Sequence, residues 1–532
     1  MGKTPGVDGI SAEMLKYGGE QIINILMRIC QTAWELGRVP HDWTLAVIVP
    51  LYKGKGCKEI CTSYRGISML SIPGKVYGRI VIDRVKGLTR ETIGEEQGGF
   101  IEGRGCIDQI ATVKLIAEKF IGKRKRLYAA FMDLRRAYDV VDRPALWDVL
   151  KIYGVGGKLL DAVKAFYKNC RAKVRVNGVE SKNFNIGVGV KQGCVMSPWL
   201  FNIYMDSMMK EWKVRIQGQG AELHENGSVW KIPACLYADD AVLFAESEEN
   251  LQSMVSEFNR VCERRKLEVN AGKSKVMVFE RKKFDTVDFD KIYRVNRPNV
   301  RKCKITIGSE QLEEVSEFKY LGSMLCKNDT MESEIRERVI QGRRAIGELG
   351  SVIRGRSLSI EVKKNLRESI VLPTLSYGSE MWKWNTSDQS KIRAVEMTYL
   401  RAGVGVTRMD RISNEEVYER YGMAEEKPGV DCGVVEWVKR NALRWYGHVR
   451  RMPEERMTKK VYQSEVSGMY GRGRPPVTWE GRIEQYLGER LSGGMRGIEV
   501  AKLACTDRAV WRSFCHGHPP GWELPGRARH RR

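Results

Sequence analysis

The chain has 532 residues, 42% hydrophobic and 29% charged. Those ordinary globular proportions exclude wholesale disorder and supply core material for two to four domains at roughly 150 residues each. Ninety Lys and Arg against 66 Asp and Glu leave a net charge of +24, which suits a polyanionic partner, nucleic acid being the simplest; solvated surface charge is the plain alternative. No apolar run approaches the ~18 residues of a membrane span. The N-terminal MGKTPGVDGI lacks a signal segment, and the thirteen cysteines, without a paired framework, read as reduced thiols of an intracellular protein.

In chain order, Ile22, Ile25, Leu26, Ile29 and Ala33 have helical spacing, closed by Gly37 and Pro40. Thr44–Leu51 reads as a buried strand. Ile107 to Phe120 reads as an amphipathic helix, followed by the basic run 123–126 and a short strand, Leu127–Met132. Helices are expected over 144–153 and 158–169. A hairpin is expected from Arg171–Val176 through Asn177-Gly178 to Phe184–Val188, then a helix over Pro198–Trp212. Ile232–Tyr237 and Ala241–Ala245 form a second expected hairpin. A helix at 248–266, a strand at Lys275–Phe279, an irregular charged stretch at 281–300 and one strand at Val315–Met324, interrupted by Gly322, follow. From 331 the pattern is helical (331–349, 358–370, 388–402, 433–451), and from Pro453 a tail rich in Gly, Arg, Pro and Trp begins. The expected class is α+β.

Two acidic sites each cap an apolar strand: Asp133 after Tyr128–Met132, and Asp239-Asp240 at a hairpin tip. Carboxylates at neighbouring strand ends would repel unless hard divalent cations lie between them. Two such ions about 3.5–4 Å apart suit in-line phosphoryl displacement. Taken singly, each site also reads as a solvated strand end or a polar turn.

An ordered series of blocks resembles the reverse transcriptases of non-LTR (LINE-type) retrotransposons. TPGVDGISAEMLKYGG (4–19), WTLAVIVPLYKGKG (43–56) with SYRGISML (63–70), and EEQGGFIEGRGCIDQI (95–110) look like finger blocks. FMDLRRAYDVVDR (131–143), GVKQGCVMSPWLFNIYMD (189–206), YADD (237–240) and LEVNAGKSKVMVF (267–279) resemble palm motifs A to D. FKYLGSML (318–325) resembles the block after them, and RWYGHVRRM (444–452) a C-terminal segment of many invertebrate elements. The resemblance implies a right-hand polymerase: fingers 1–126, palm 127–330 with an antiparallel sheet and interleaved finger elements, helical thumb 331–415, and a basic C-terminal region 416–532, partly helical then irregular. It also implies that the chain starts inside the first finger block, without the endonuclease domain of such elements.

The implied activity is RNA-directed DNA synthesis from a DNA 3′-hydroxyl, as part of retrotransposition. The implied partners are an RNA template, a DNA primer or target and deoxynucleoside triphosphates, with no membrane, and the implied site of action is nuclear. Asp133, the Leu134 carbonyl, Asp239 and Asp240 would hold two Mg²⁺ ions, with Mn²⁺ as the alternative. Tyr138 would exclude a 2′-hydroxyl, or else is a packed core aromatic. Lys53 and Arg65 would grip the triphosphate. Gln192 and Gly193 would meet the incoming nucleotide or template. Lys273, or Lys275 in its place, would protonate the leaving pyrophosphate. Phe318, Tyr320, Leu321 and Gly322 would form the primer grip. Cys194, Met196 and Gly66 depart from the family's usual serine, leucine and proline without removing a metal ligand.

In the C-terminal region RGRP (472–475) matches an AT-hook core or a flexible basic linker. Cys505, Cys515, His516 and His518 raise a zinc reading without knuckle spacing. Trp437, Trp445 and Tyr446 either stack on bases or pack in a core, with Arg440, Arg444, Arg450 and Arg451 on the wet face. Ala238 and Tyr138 count against an RNA-dependent RNA polymerase, and RWYGHVRRM against a group II maturase or telomerase. A non-enzymatic alternative is a co-opted nucleic-acid-binding remnant of such an element.

Overall fold

The computed structural model describes residues 2, 4–54, 56–281, 302–355, 357–423, 433–470, 476–490 and 494–516. Strand alternation organises it. Two strands form at the start, β1 (Leu45–Tyr52) and β2 (Tyr64–Met69), followed by β3 (Leu127–Met132), β4 (Arg171–Val176), β5 (Val179–Glu180) and β6 (Phe184–Asn185). β2 was not foreseen: with Arg65, Gly66 and Ile67 exposed in succession it shows no alternation of buried apolar residues. β1 pairs antiparallel with β2 and parallel with β4, and Pro50 lies beyond the stretch shared with β4, where a missing amide costs nothing. The return from β4 is shorter than expected. Asn177 and Gly178, both left-handed, lead straight into β5, and only Phe184 and Asn185 pair again with β4.

The run expected at 232–237 splits at Pro233. β7 (Ala221–Glu225) and β8 (Ser228–Ile232) form one hairpin across Asn226-Gly227, and β9 (Ala234–Tyr237) pairs with β10 (Asp240–Ala245) in the next. β11 (Lys275–Phe279) and β14 (Glu313–Glu314) complete a central sheet of order β14-β11-β3-β10-β9, while β12 (Thr306–Ile307) and β13 (Glu310–Gln311) form a separate small pair. The single strand expected at 315–324 is instead a hairpin, β15 (Glu317–Tyr320) and β16 (Ser323–Cys326). Leu321 and Gly322 both take left-handed backbone and turn the chain there. Residues 282–300, expected to be irregular, lie outside the described residues.

The helices used below are α1 (Gly19–Leu36), α2 (Ile72–Thr89), α3 (Cys106–Gly122), α4 (Arg143–Ile152), α5 (Gly157–Ala165), α6 (Ser197–Arg215), α7 (Glu248–Arg264), α8 (Glu332–Glu348), α9 (Thr386–Val404), α10 (Val434–Arg450), α11 (Met457–Gln463), α12 (Trp479–Arg490), α13 (Gly494–Ala504) and α14 (Arg508–Cys515). α2 went unforeseen because Gly74, Gly78 and Gly87 dilute its pattern. The central sheet is covered on both faces. Ala130, Met132, Ala241 and Leu243 face α6 and α7, while Leu127, Ala129, Phe131, Val242 and Phe244 share a core with α3 and with Trp445, Tyr446, Trp479 and Trp511. The architecture is α+β, as expected from the sequence.

The chain after Pro453 is not a loose tail. Four helices, α11 to α14, form, because Trp479, Tyr486, Trp511 and Phe514 find a ready apolar surface on α10 and the sheet. Cys505 and Cys515, weighed as zinc ligands, are buried there, and burial pushes their thiols up to about 12 and about 11. His518 and RGRP at 472–475 lie outside the described residues. α10 spans two cores. Val434, Val435 and Val438 pack with the helical region of α8 and α9, and Leu443, Tyr446 and Val449 with the sheet. No described helix is long and apolar enough to cross a membrane.

α14 seats on α10 at Gly447, where an added Cβ would stand 2.0 Å from Trp511 Nε1. That indole donates to the Leu443 carbonyl at 2.9 Å and is fixed by burial. Gly447→Ala should therefore lower stability by about 1–3 kcal/mol through overpacking, read as a lower thermal midpoint. An unchanged midpoint would mean that α14 does not dock there.

Candidate active site

β10 runs antiparallel to β3 with Ala241 opposite Met132, so the same register sets Asp240 opposite Asp133. Asp133 follows Phe131 onto the sheet face that Asp240 shares with Val242, and Asp239 stands in the two-residue turn between β9 and β10. The segment before β11 wraps Asp133. Its amide donates to Ser274 Oγ at 3.1 Å, its carbonyl accepts from the Asn270 amide at 2.8 Å, and its Oδ2 accepts from Asn270 Nδ2 at 3.0 Å. Lys273 Nζ lies 3.5 Å from the same Oδ2. Lys275, the alternative proton donor, is tied to the Gly272 carbonyl and to Glu313 Oε2, each at 2.8 Å.

The three acids form one electrostatic group. Burial raises Asp239, Asp133 adds to the rise, and Arg65 and Lys273 oppose it. Asp240 is open to solvent at the turn, yet the surrounding protein, then Asp239 and Asp133, push its carboxyl up to about 6 against Lys273. Arg65 and Lys273 thus leave negative charge in excess. The donor set is oxygen only and fits a hard divalent cation. Among the described residues no three His, Cys, Asp or Glu side chains stand close enough to enclose an ion, so the carboxylates form an open set. Leu134 suits the same use. The amide of Arg135 and the carbonyl of Asp133 bond toward Glu268 and Asn270, so by alternation the Leu134 carbonyl faces the β10 edge.

Sequence reasoning missed what holds the turn. Ala238 is left-handed, φ 57°, a strain of order 1 kcal/mol for a non-glycine residue. The buried Gln97 clamps it, Oε1 accepting from the Ala238 amide at 2.9 Å and Nε2 donating to its carbonyl at 3.3 Å. The Gln97 backbone bridges Leu236 at the free edge of β9, and Asn202 Nδ2 of α6 donates to the Gly99 carbonyl at 2.7 Å. Gln97 and Asn270 both lie within quoted motif blocks, but an amide side chain signals nothing until its backbone partner is known.

Tyr138 is half-buried, stacked on Phe201 of α6 with centroids 4.3 Å apart and edge-on to Phe100 at 6.5 Å. Burial and then Asp239 raise its phenol, so the ring borders the acidic group. Arg65, on β2, is exposed and acts on Asp239. Lys53 turns back to donate to the Thr62 carbonyl at 2.8 Å and is not brought into the acidic group. Gln192 Nε2 donates to Asp139 Oδ1 at 3.0 Å. Gly193 has φ 95°, and an added Cβ would lie 2.9 Å from the Ser68 carbonyl, so glycine lets this loop meet β2. Phe318 stacks on Phe131 at 4.3 Å and Tyr320 is buried, while Tyr377 Oη donates to the Leu321 carbonyl at 2.7 Å and Arg338 Nη2 to that of Gly322 at 2.8 Å.

Residues 53–325 match the family model described as reverse transcriptase (RNA-dependent DNA polymerase). The chain is similar to the RNA-directed DNA polymerase from mobile element jockey of Drosophila melanogaster, 25% identical over 412 residues, covering 75% of this chain and 42% of that protein. It is also similar to the Pol polyprotein of the type-2 retrotransposable element R2DM of the same species, 28% identical over 255 residues, covering 48% and 23%. The chain thus spans about two fifths or less of the length of these curated relatives. Among solved structures, telomerase from Candida tropicalis with a telomeric RNA fragment aligns with a TM-score of 0.37 at 14% identity, covering 83% of this chain and 68% of that one.

The acidic group makes a sign-definite prediction. A carboxyl held at about 6 when folded, against 3.8 unfolded, keeps its proton longer in the folded state, so its ionisation destabilises the fold as pH rises through that window. In metal-free protein Asp240→Asn should melt higher than wild type at pH 7.5, the gap narrowing between pH 6 and 4. A lower midpoint for the variant at pH 7.5 would contradict the repulsion.

Proposed function

The chain belongs to the reverse transcriptase (RNA-dependent DNA polymerase) family, and from that premise we propose that it extends a DNA 3′-hydroxyl on an RNA template, as the polymerase of a non-LTR retrotransposon. The observation that carries the reading is the meeting of Asp133, Asp239 and Asp240, from segments over a hundred positions apart, in one excess-negative group within a chain of net charge +24. In this reading residues 1–126 are fingers, 127–330 palm, 331–415 thumb and 416–532 the C-terminal region.

Two Mg²⁺ ions, or Mn²⁺, held by the three carboxylates and the Leu134 carbonyl, would neutralise charge on the attacking and leaving oxygens. The chain's own groups do the rest. Asn270 fixes the Asp133 carboxylate, and Gln97 fixes the turn that carries Asp239. Arg65, next to the acids, supplies a guanidinium for the triphosphate, and Lys53 a second cation once released from Thr62. Tyr138, braced by Phe201, closes the space a ribose 2′-hydroxyl would need. Gln192 and Gly193 border the nucleotide, and Lys273 stands where a proton can pass to the departing pyrophosphate. The β15–β16 hairpin, tied down by Tyr377 and Arg338, positions the primer end. The work of such a polymerase lies at nicked chromosomal DNA in the nucleus.

Primer extension on poly(rA)/oligo(dT) with Mg²⁺ tests this. Wild type should incorporate deoxynucleotides and Asp239→Ala should not; equal incorporation by both removes the enzymatic reading and leaves a nucleic-acid-binding remnant. Two variants then probe placement. Tyr138→Ala should raise ribonucleotide use relative to deoxynucleotide by about 10- to 100-fold. Gln97→Ala should lower kcat by about 10- to 100-fold with primer–template affinity kept, because it displaces Asp239 without touching substrate.

A further inference from the structure

The arginines of the RWYGHVRRM segment have no part in the carboxylate site. α10 turns Leu443, Trp445, Tyr446 and Val449 into the core, which leaves Arg440 and Arg444, one turn apart, on its outer side. α14 lies across α10, seated by Trp511 on Gly447 and Leu443, and carries its own stripe, Arg508, Arg512 and His516, at the same spacing. The stripes meet: Arg444 Nη2 donates to His516 Nε2 at 2.8 Å, and Arg508 acts on His448 one turn further along α10. Arg444, Arg508, Arg512 and His516 are exposed, and Arg440 is half-buried.

Neighbouring cations differ in how they are used. Arg490 pairs with Glu436 and donates to the Phe514 and Cys515 carbonyls, and Arg451 donates to the Cys505 carbonyl at 2.6 Å; both brace the helices. Among the described residues Arg440, Arg444, Arg508 and Arg512 have no carboxylate within ion-pair distance, and Glu368 is the acid that acts on Arg440. The crowding has a measurable imprint. Burial, then Arg440, Arg444, Arg512 and Arg490, hold His516 below the usual imidazole range, and it accepts from Arg444 as a neutral ring. Like charges facing each other across a crease are unfavourable unless an anion lies between them.

We propose that the crease between α10 and α14, lined by Arg440, Arg444, Arg508 and Arg512, binds the phosphodiester backbone of a nucleic acid. Guanidiniums suit phosphate oxygens; Trp445 and Tyr446 of α10 are packed in the core and the half-buried Trp437 is turned to Ser376, to which its indole donates at 3.0 Å, so recognition is by backbone charge and not by base stacking. RNA and duplex DNA share this chemistry, and the test separates them.

The full-length chain is titrated with labelled single-stranded RNA and with duplex DNA of equal length over a range of KCl concentrations. Three released phosphate contacts lower the slope of log affinity against log salt by about 2 for single strands and somewhat more for duplex DNA. The triple variant Arg440→Gln, Arg444→Gln, Arg512→Gln should lose that slope in the arm whose backbone the crease takes. The matching Arg→Lys triple should keep most of it, which separates charge from folding. Equal slopes for the Gln and Lys triples in both arms overturn the proposal. No synthesis is measured, so this outcome is independent of the primer-extension result.

Discussion

One register carries the site: Ala241 opposite Met132. Because strand side chains alternate with a period of two, that pairing sends Ala130, Met132 and Leu243 to one core and Phe131, Val242 and Phe244 to the other, and it also faces Asp240 with Asp133. A slip of one residue would exchange both faces and separate the acids. The same apolar burial that enforces the register therefore forces carboxylates together that repel, and Arg65 and Lys273 relieve them only in part. Most of the strain of the acidic group is imposed by residues that never touch it.

That register needs both sheet faces buried, and the second face is closed by an unexpected part of the chain. Composition beyond Pro453 reads as a basic tail, helical only in part, yet Trp479, Tyr486, Trp511 and Phe514 complete the core under Phe131 and Phe244. α10 joins this core to that of the helical region, and Trp384 Nε1 donates to Tyr486 Oη at 2.7 Å across the same junction. α10 and α14 are thus structural for the sheet on their inner side and basic on their outer side, a division that one amphipathic helix pattern produces.

The sequence made the long periodic elements legible. α3, α7 and β3 formed where apolar spacing put them, and the strand-end acids were recognisable because carboxylates after an apolar run are unusual in composition and position. Short strands escaped because pairing rather than hydrophobicity defines them: β2 has no buried residue, and β15 and β16 read as one strand although Leu321 and Gly322 turn the chain between them. Of the candidate site residues, Asp133, Asp239, Asp240, Tyr138, Arg65 and Lys273 meet in one neighbourhood. Lys53 and Lys275 are held by local partners that residue type cannot reveal. Gln97 and Asn270 were illegible for the complementary reason: their part is to satisfy particular backbone groups, and those are fixed only by the tertiary fold.

Ala238 shows how these supports converge. A glycine there would remove the left-handed strain but would also give the turn more backbone freedom. With alanine, the turn keeps its shape because Gln97 holds both of its polar groups and because residues 96–98 pair along β9. That segment is in turn held by Asn202, through the Gly99 carbonyl. The preceding residue on α6, Phe201, carries the Tyr138 ring. Two consecutive side chains of one buried helix thus brace the aromatic ring beside the acids and the turn that bears Asp239. A rigid-body shift of α6 would move both together, preserving the distance between ring and carboxylate that a change in either support alone would lose.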